Sequence, residues 1–99
     1  MTTQLKKYSD TLTPLMRRYG VVKAAFFGSL VSGTFREGQS DVDILVLPPR
    51  GMSLLDFIGL KQDIEDLMDK EIDLLSYNGI SPYLKSSILS NQQVFYETK

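Results

Sequence analysis

Two short apolar runs, each interrupted by an aspartate, constrain the fold of this chain most strongly. Residues 42–47 read Val-Asp-Ile-Leu-Val-Leu, and residues 72–75 read Ile-Asp-Leu-Leu. Runs this rich in aliphatic and β-branched residues predict strands that are mostly buried on both faces. The stretch between them has a helical pattern, so the order is strand, helix, strand. That order predicts two neighbouring strands in one sheet.

Asp41 and Asp43 belong to the first run, and their spacing predicts that they share one face of the strand. Residues two apart in a strand point the same way, with Cα atoms about 6.5 Å apart. Two like charges in a mostly buried strand repel, at a cost of about 1.4 kcal/mol for each unit by which a pKa rises. A cation between the carboxylates would remove that cost. The alternative is that Ser40 and Asp41 cap a turn while Asp43 lies on a solvated strand edge.

Asp73 lies alone in the second apolar run. If the two strands are neighbours, three carboxylates could converge on one point, and an all-oxygen ligand set selects hard ions such as Mg²⁺ or Mn²⁺. The alternative for Asp73 is a charge on an edge strand, which discourages aggregation.

Gly28 and Ser29 end a third apolar run, residues 21–27, where the chain must turn sharply. If a helix begins at this turn, its free N–H groups and the positive end of its dipole would face the strand tip, where a phosphate could bind. Gly33 would end that short helix. The alternative is an ordinary turn or helix cap.

Helices and one further strand account for most of the remaining chain. Apolar residues between Leu5 and Tyr19 recur at helical spacing, and Gly20 is expected to stop that helix. Pro14 leaves open that a second, shorter helix begins there.

A capping box formed by Ser53 and Asp56 predicts a second long helix ending at about Met68. The residues expected to line its buried face are Phe57, Leu60, Ile64, Leu67 and Met68. Residues 81–89 read as a last helix, and residues 94–96 read as a short final strand.

The composition narrows the possible chemistry. The chain has 99 residues, no histidine and no cysteine, and its net charge is −1. One domain over residues 1–99 is expected. Without histidine and cysteine, the chain has no imidazole base, no thiolate nucleophile, no disulfide and no zinc site of the usual kind. The charge balance argues against a nucleic-acid binder. Because no apolar run reaches membrane-spanning length and residues 1–7 lack a signal-peptide core, we expect a cytoplasmic protein.

In their order along the chain, three motifs resemble the minimal nucleotidyltransferase (MNT) branch of the DNA polymerase β-like nucleotidyltransferase superfamily. The motifs are residues 27–29 (Phe-Gly-Ser), 40–43 (Ser-Asp-Val-Asp) and 72–74 (Ile-Asp-Leu). The resemblance runs from about Tyr19 to Tyr96. It implies an α+β (α/β) fold, in which a small mixed β-sheet is packed by helices.

The resemblance also implies roles for five residues. Gly28 and Ser29 would bind the phosphates of ATP, and Asp41 and Asp43 would bridge two divalent ions, Mg²⁺ or Mn²⁺. Asp73 would complete the second metal site and help to activate the acceptor hydroxyl.

The chain departs from the family pattern just after the Gly-Ser turn. Many members carry arginines where Leu30 and Ser32 stand here, and the stretch between Ser29 and Asp41 is one residue longer than usual. Arg36 could supply a substitute cation for the nucleotide, although a solvated turn arginine is the alternative.

The implied activity is transfer of AMP from ATP to a tyrosine of a HEPN toxin, for which this chain would be the antitoxin. A hetero-oligomer with that toxin and a homodimer both stay open. Three alternatives also stay open: a module that neutralises its partner by contact alone, an enzyme that acts on a small molecule, and a protein whose aspartates are only surface charges.

Overall fold

The computed structural model describes residues 2–36, 38–39 and 41–98, so Glu37 and Ser40, with the turn cap expected at Ser40, lie outside the described residues. The helices are α1 (Thr3–Tyr19), α2 (Ser29–Ser32), α3 (Leu54–Met68) and α4 (Pro82–Asn91), with a 3₁₀ turn at Tyr77–Gly79. The strands are β1 (Lys23–Phe27), β2 (Val42–Leu47), β3 (Ile72–Ser76) and β4 (Gln93–Glu97).

The strands form a mixed sheet in the order β3-β2-β1-β4, which confirms the predicted fold class. The strands β2 and β3 are neighbours, as the strand, helix, strand order predicts, and they pair in parallel. Strand β1 pairs antiparallel with β2 and β4. Since β2 is an inner strand, Asp43 does not lie on a sheet edge. Asp73 does, because β3 is an edge strand.

Helix α1 is one continuous helix through Pro14, so the alternative of a second helix beginning there is wrong. The proline removes the backbone hydrogen bond to the Asp10 carbonyl oxygen. In the same turn, the Thr13 hydroxyl donates to the Ser9 carbonyl oxygen at 2.7 Å. The Thr2 hydroxyl caps the start, and Gly20, with φ 72°, ends the helix as predicted.

Helix α3 begins with the predicted capping box. Ser53 accepts from the Asp56 amide, and the Asp56 carboxylate accepts from the Ser53 amide. Leu60 and Ile64 are fully buried, but Leu67 is 52% exposed, so its predicted place on the buried face is wrong. At that end of α3, an open groove of ≈ 720 Å³ separates it from α1 and leaves Leu67 uncovered.

The two faces of the sheet differ in how they are covered. Helices α1 and α3 cover one face, where Phe26, Val42 and Ile44 join the main hydrophobic core. Alternation along the strands places Asp43 on the opposite face, together with the fully buried Leu45. The 3₁₀ turn packs against β2.

No helix formed by the described residues is both long enough and apolar enough to cross a membrane.

The burial pattern of α3 predicts that truncating two of its leucines to alanine lowers the free energy of unfolding by different amounts. Leu60→Ala removes a fully buried side chain and should lower the free energy of unfolding by about 2–5 kcal/mol. Leu67→Ala, in the same helix but half exposed, should cost less than about 1 kcal/mol. Urea denaturation of both variants measures the difference. Equal losses would contradict the open position of Leu67.

Candidate active site

A row of three residues crosses the sheet where β1 ends and where β2 and β3 begin. Asp43 pairs with Phe27 of β1 on one side and with Asp73 of β3 on the other. The parallel register therefore places two carboxylates in directly opposed positions on neighbouring strands. The structure confirms the predicted adjacency of these strands, and it shows Asp73 exposed and Asp43 half-buried.

Gly28 follows Phe27 and brings the backbone against the Asp43 carboxylate. A Cβ atom at Gly28 would lie 2.1 Å from Asp43 Oδ2, and the residue has φ 70° and ψ −144°. Both the lack of space and the positive φ demand glycine. The turn therefore touches the carboxylate, which gives the Gly-Ser motif a structural reason beyond an ordinary turn.

Helix α2 begins at Ser29, which meets the condition for the phosphate-binding hypothesis, and Gly33 ends it in the left-handed conformation. The amides of Val31 and Ser32 donate to the Gly28 carbonyl oxygen at 3.1 and 3.0 Å. The amides of Ser29 and Leu30, which precede Val31 in α2, have no carbonyl partner within so short a helix, because the first amides of any helix lack one. The turn thus presents N–H groups beside the Asp43 carboxylate.

The electrostatic environment of Asp43 disfavours its charge. Burial, followed by repulsion from Asp73 and Asp41, raises the pKa of Asp43 from 3.8 to about 6. Both other aspartates therefore lie close enough to act on Asp43, although Asp41 is exposed and precedes β2.

The carboxylates do not form a closed metal cluster. Among the described residues, no group of three or more histidine, cysteine, aspartate or glutamate side chains is arranged to hold a metal ion. The donor chemistry nevertheless fits a hard divalent cation, because the candidate ligands are all carboxylate oxygens and repulsion from the other two contributes to the raised pKa of Asp43. The metal roles of Asp41, Asp43 and Asp73 stay predictions.

The positions where many family members carry arginines supply no cation here. Leu30 is only 7% exposed and belongs to the hydrophobic core, and the exposed Ser32 hydroxyl lies 3.0 Å from the Thr34 hydroxyl. Arg36 is exposed in the segment that follows α2, where it has interactions of its own. Its role in nucleotide binding stays a prediction.

The sequence did not indicate that α4 also reaches this region. Ser87 and Asn91 of α4 line a groove that also includes Gly28. No motif marks these residues, and their proximity depends on how the chain returns from β3 to β4.

Comparison with known proteins supports the predicted family. Residues 9–95 match the family model described as a nucleotidyltransferase domain. A candidate protein adenylyltransferase of Methanocaldococcus jannaschii is 43% identical over 79 residues, which cover 80% of this chain and 84% of the relative. The protein adenylyltransferase MntA of Thermococcus cleftensis is 37% identical over 75 residues, which cover 76% and 75% of the two chains.

Solved structures show the same fold. A structure described as a candidate minimal nucleotidyltransferase matches with a TM-score of 0.79 and 33% identity, over 91% of each chain. A Shewanella oneidensis complex of a tri-AMPylated HEPN toxin with its MNT antitoxin matches with a TM-score of 0.71 over 94% of this chain and 72% of the other. At 19% identity, that match shows the fold alone.

The family model spans most of the chain, and the M. jannaschii relative is well above the identity at which a family relationship is secure. This chain therefore belongs to the nucleotidyltransferase domain family and is a nucleotidyltransferase.

Proposed function

We propose that this chain is a protein adenylyltransferase that transfers AMP from ATP to a tyrosine of a HEPN toxin and so acts as its antitoxin. The observation that carries the proposal is the contact of the Gly28 turn with the Asp43 carboxylate, in one row with Asp73. A phosphate on the turn would lie directly beside the carboxylates, as nucleotidyl transfer requires. Relatives named protein adenylyltransferases support AMP transfer to a protein.

The residues divide the reaction between them. The Gly28–Ser29 turn would hold the phosphates through its N–H groups, and Asp41, Asp43 and Asp73 would hold Mg²⁺ or Mn²⁺. Such ions, when bound, neutralise the charge on the reacting phosphate and its leaving group. Asp73 would accept the proton of the acceptor hydroxyl. The hydroxyl oxygen bonds to the α-phosphorus, the bond to the β-phosphate oxygen breaks, and pyrophosphate leaves with the electron pair.

The proposed acceptor comes from the comparisons, and the position of Asp73 indicates how it could approach. The Shewanella complex pairs an AMPylated HEPN toxin with an antitoxin of the same fold. In this chain, Asp73 lies exposed on the edge strand β3. An external acceptor could therefore approach from the side of β3.

A second candidate function is neutralisation of the partner by contact alone. The buried Leu30 favours it, because that side chain cannot supply the cation that many family members place after the Gly-Ser turn. Under this function, loss of the aspartates would leave neutralisation intact.

Removing the Asp43 charge should abolish transfer. With α-phosphate-labelled ATP, Mg²⁺ and the protein encoded by the neighbouring gene as acceptor, Asp43→Asn should lower the rate of label incorporation by more than about a hundredfold, since even outer-shell changes at metal sites cost 10- to 100-fold. Scintillation counting of the separated partner measures the label.

Asp69→Asn is the matched control, since Asp69 lies between α3 and β3 with φ 52°, a conformation that asparagine also adopts. It should transfer label at the wild-type rate. Equal transfer by wild type and Asp43→Asn would sink the catalytic assignment. A stable complex without label from wild type would favour neutralisation by contact.

Gly28→Ala should damage both the fold and the reaction. The new Cβ would lie 2.1 Å from Asp43 Oδ2, and the positive φ adds about 1–2 kcal/mol of strain. We expect a lower melting temperature and transfer at least tenfold slower. Gly79→Ala is the control, because no atom of the described residues would lie within 4 Å of a Cβ at that position, and it should match wild type in both assays. Normal transfer by Gly28→Ala would show that the close approach is dispensable.

The pKa of Asp43 predicts a pH-dependent effect on the stability of the metal-free protein. Because folding raises the pKa from 3.8 to about 6, the ionised carboxylate destabilises the fold fully above about pH 6. The effect shrinks as the pH falls toward 3.8 and is absent below about pH 3, where both states are protonated. Asp43→Asn should therefore stabilise the chain at pH 8 in EDTA, by about 1 kcal/mol after solvent screening. The gain should disappear at about pH 3.

Thermal melts with EDTA and with Mn²⁺ measure this effect. Mn²⁺ at pH 8 should stabilise wild type and leave Asp43→Asn unchanged. A variant that is less stable than wild type in EDTA at pH 8 would contradict the repulsion between these carboxylates.

A further inference from the structure

A groove of ≈ 290 Å³ opens beside Gly28, and neither Asp43 nor Asp73 belongs to its lining. Its lining comes from the end of β1, from α2 and from the second half of α4: Phe27, Gly28, Ser32, Ser87, Ile88 and Asn91. Gly28 belongs to both the groove and the turn that touches Asp43. A ligand whose phosphate lies on the turn could therefore extend into the groove without leaving the protein surface.

The position of α4 beside β1 is fixed by contacts at its end. Gln92, the residue after α4, accepts a hydrogen bond from the Tyr77 hydroxyl, and Gln93 pairs with Phe26 in the β4/β1 ladder. These contacts hold Asn91 next to the end of β1. The groove is therefore a built feature of the sheet and α4, although α4 has no fully buried residue of its own.

The lining chemistry does not suit a phosphate chain. Phe27 and Ile88 supply apolar surface, and Ser32, Ser87 and Asn91 supply uncharged polar groups. Among the described residues that line the groove, none is a lysine or an arginine, and pyrophosphate carries several negative charges that neutral groups alone bind poorly. An uncharged ring system with polar edges fits this combination better.

Asn91 lies where its side chain could form a hydrogen bond with the polar edge of such a ring. Its Nδ2 donates to the Ser87 carbonyl oxygen at 3.1 Å, which orients the amide and leaves Oδ1 able to accept a hydrogen bond from a ligand. The exocyclic amine of adenine is a donor of this kind. The groove is also near the lower end of the roughly 300–1,000 Å³ typical of small-molecule sites, so it would hold part of a nucleotide and not the whole.

We propose that this groove binds the nucleoside end of the nucleoside triphosphate, with Asn91 as a residue that favours adenine. The inference rests on the proposed nucleotidyl transfer and adds α4 to the nucleotide site. The triphosphate would lie on the Gly28–Ser29 turn, and the base would lie between Phe27 and Ile88.

A blocking substitution tests the location. Ser87→Trp would fill the groove from the exposed side of α4, and Ser86→Trp places the same side chain one residue away, outside the groove. Isothermal titration with Mg²⁺ should show that Ser87→Trp lowers ATP affinity at least tenfold. Inorganic tripolyphosphate, which has no nucleoside, should bind both variants within twofold of wild type.

A smaller substitution tests recognition of the base. Asn91→Ala should reduce the preference for ATP over GTP and CTP by about 3- to 10-fold, as expected for one neutral hydrogen bond. Asn78→Ala, in the 3₁₀ turn and outside the groove, should leave the preference unchanged. Melting temperatures identify any variant that fails to fold. If Ser87→Trp fails to fold, Asn91→Ala still tests the groove assignment.

The possible results distinguish a failure of the groove assignment from a failure of the proposed transfer activity. Unchanged ATP affinity in Ser87→Trp, together with unchanged base preference in Asn91→Ala, would overturn the groove assignment while transfer by wild type still stood. An equal loss of ATP and tripolyphosphate affinity would also overturn it, because the groove would then hold phosphate. If wild-type protein bound no ATP and transferred no label, the proposed function and the groove assignment would fail together.

Discussion

The contact between the Gly28 backbone and the Asp43 carboxylate is the constraint on which the site depends. The antiparallel register of β1 and β2 pairs Phe27 with Asp43, so the chain leaves β1 directly above that carboxylate. Only a residue without a Cβ, at a positive φ, can pass there. The Gly-Ser turn and the acidic strand are thus joined by sheet geometry, and a change at either residue would displace the other.

The same geometry makes the site lower the stability of the folded chain. Asp43 lies on an inner strand with its charge disfavoured by burial and by two other aspartates, so the metal-free chain folds against repulsion. The opposite face offsets this cost, because α1 and α3 bury Phe26, Leu60 and Ile64 completely there. Sites that must bind an external cation commonly retain such unfavourable charge, because the ion supplies the missing favourable interaction only when bound.

Local patterns were enough to predict most of the fold. The capping box at Ser53, the stop at Gly20 and the apolar strands depend on nearby residues, and the strand, helix, strand order made β2 and β3 neighbours. Pro14 was ambiguous because tertiary packing can hold a helix through a proline. The exposure of Leu67 and the approach of Asn91 to Gly28 depend on long-range packing and on the Tyr77–Gln92 hydrogen bond, for which the sequence carries no local signal.

The order of the strands gives the proposed reaction a direction. Asp73 lies on the edge strand β3, Asp43 on β2, and Gly28 at the end of β1, where it also lines the groove. In an in-line displacement the entering oxygen arrives opposite the leaving group. A triphosphate held at the turn, with its nucleoside in the groove, would keep the leaving pyrophosphate at the turn, so the acceptor would enter opposite it, over Asp73. Because β3 is the last strand on that side, the approach is open, and a hydroxyl on the surface of a whole protein could reach the α-phosphate.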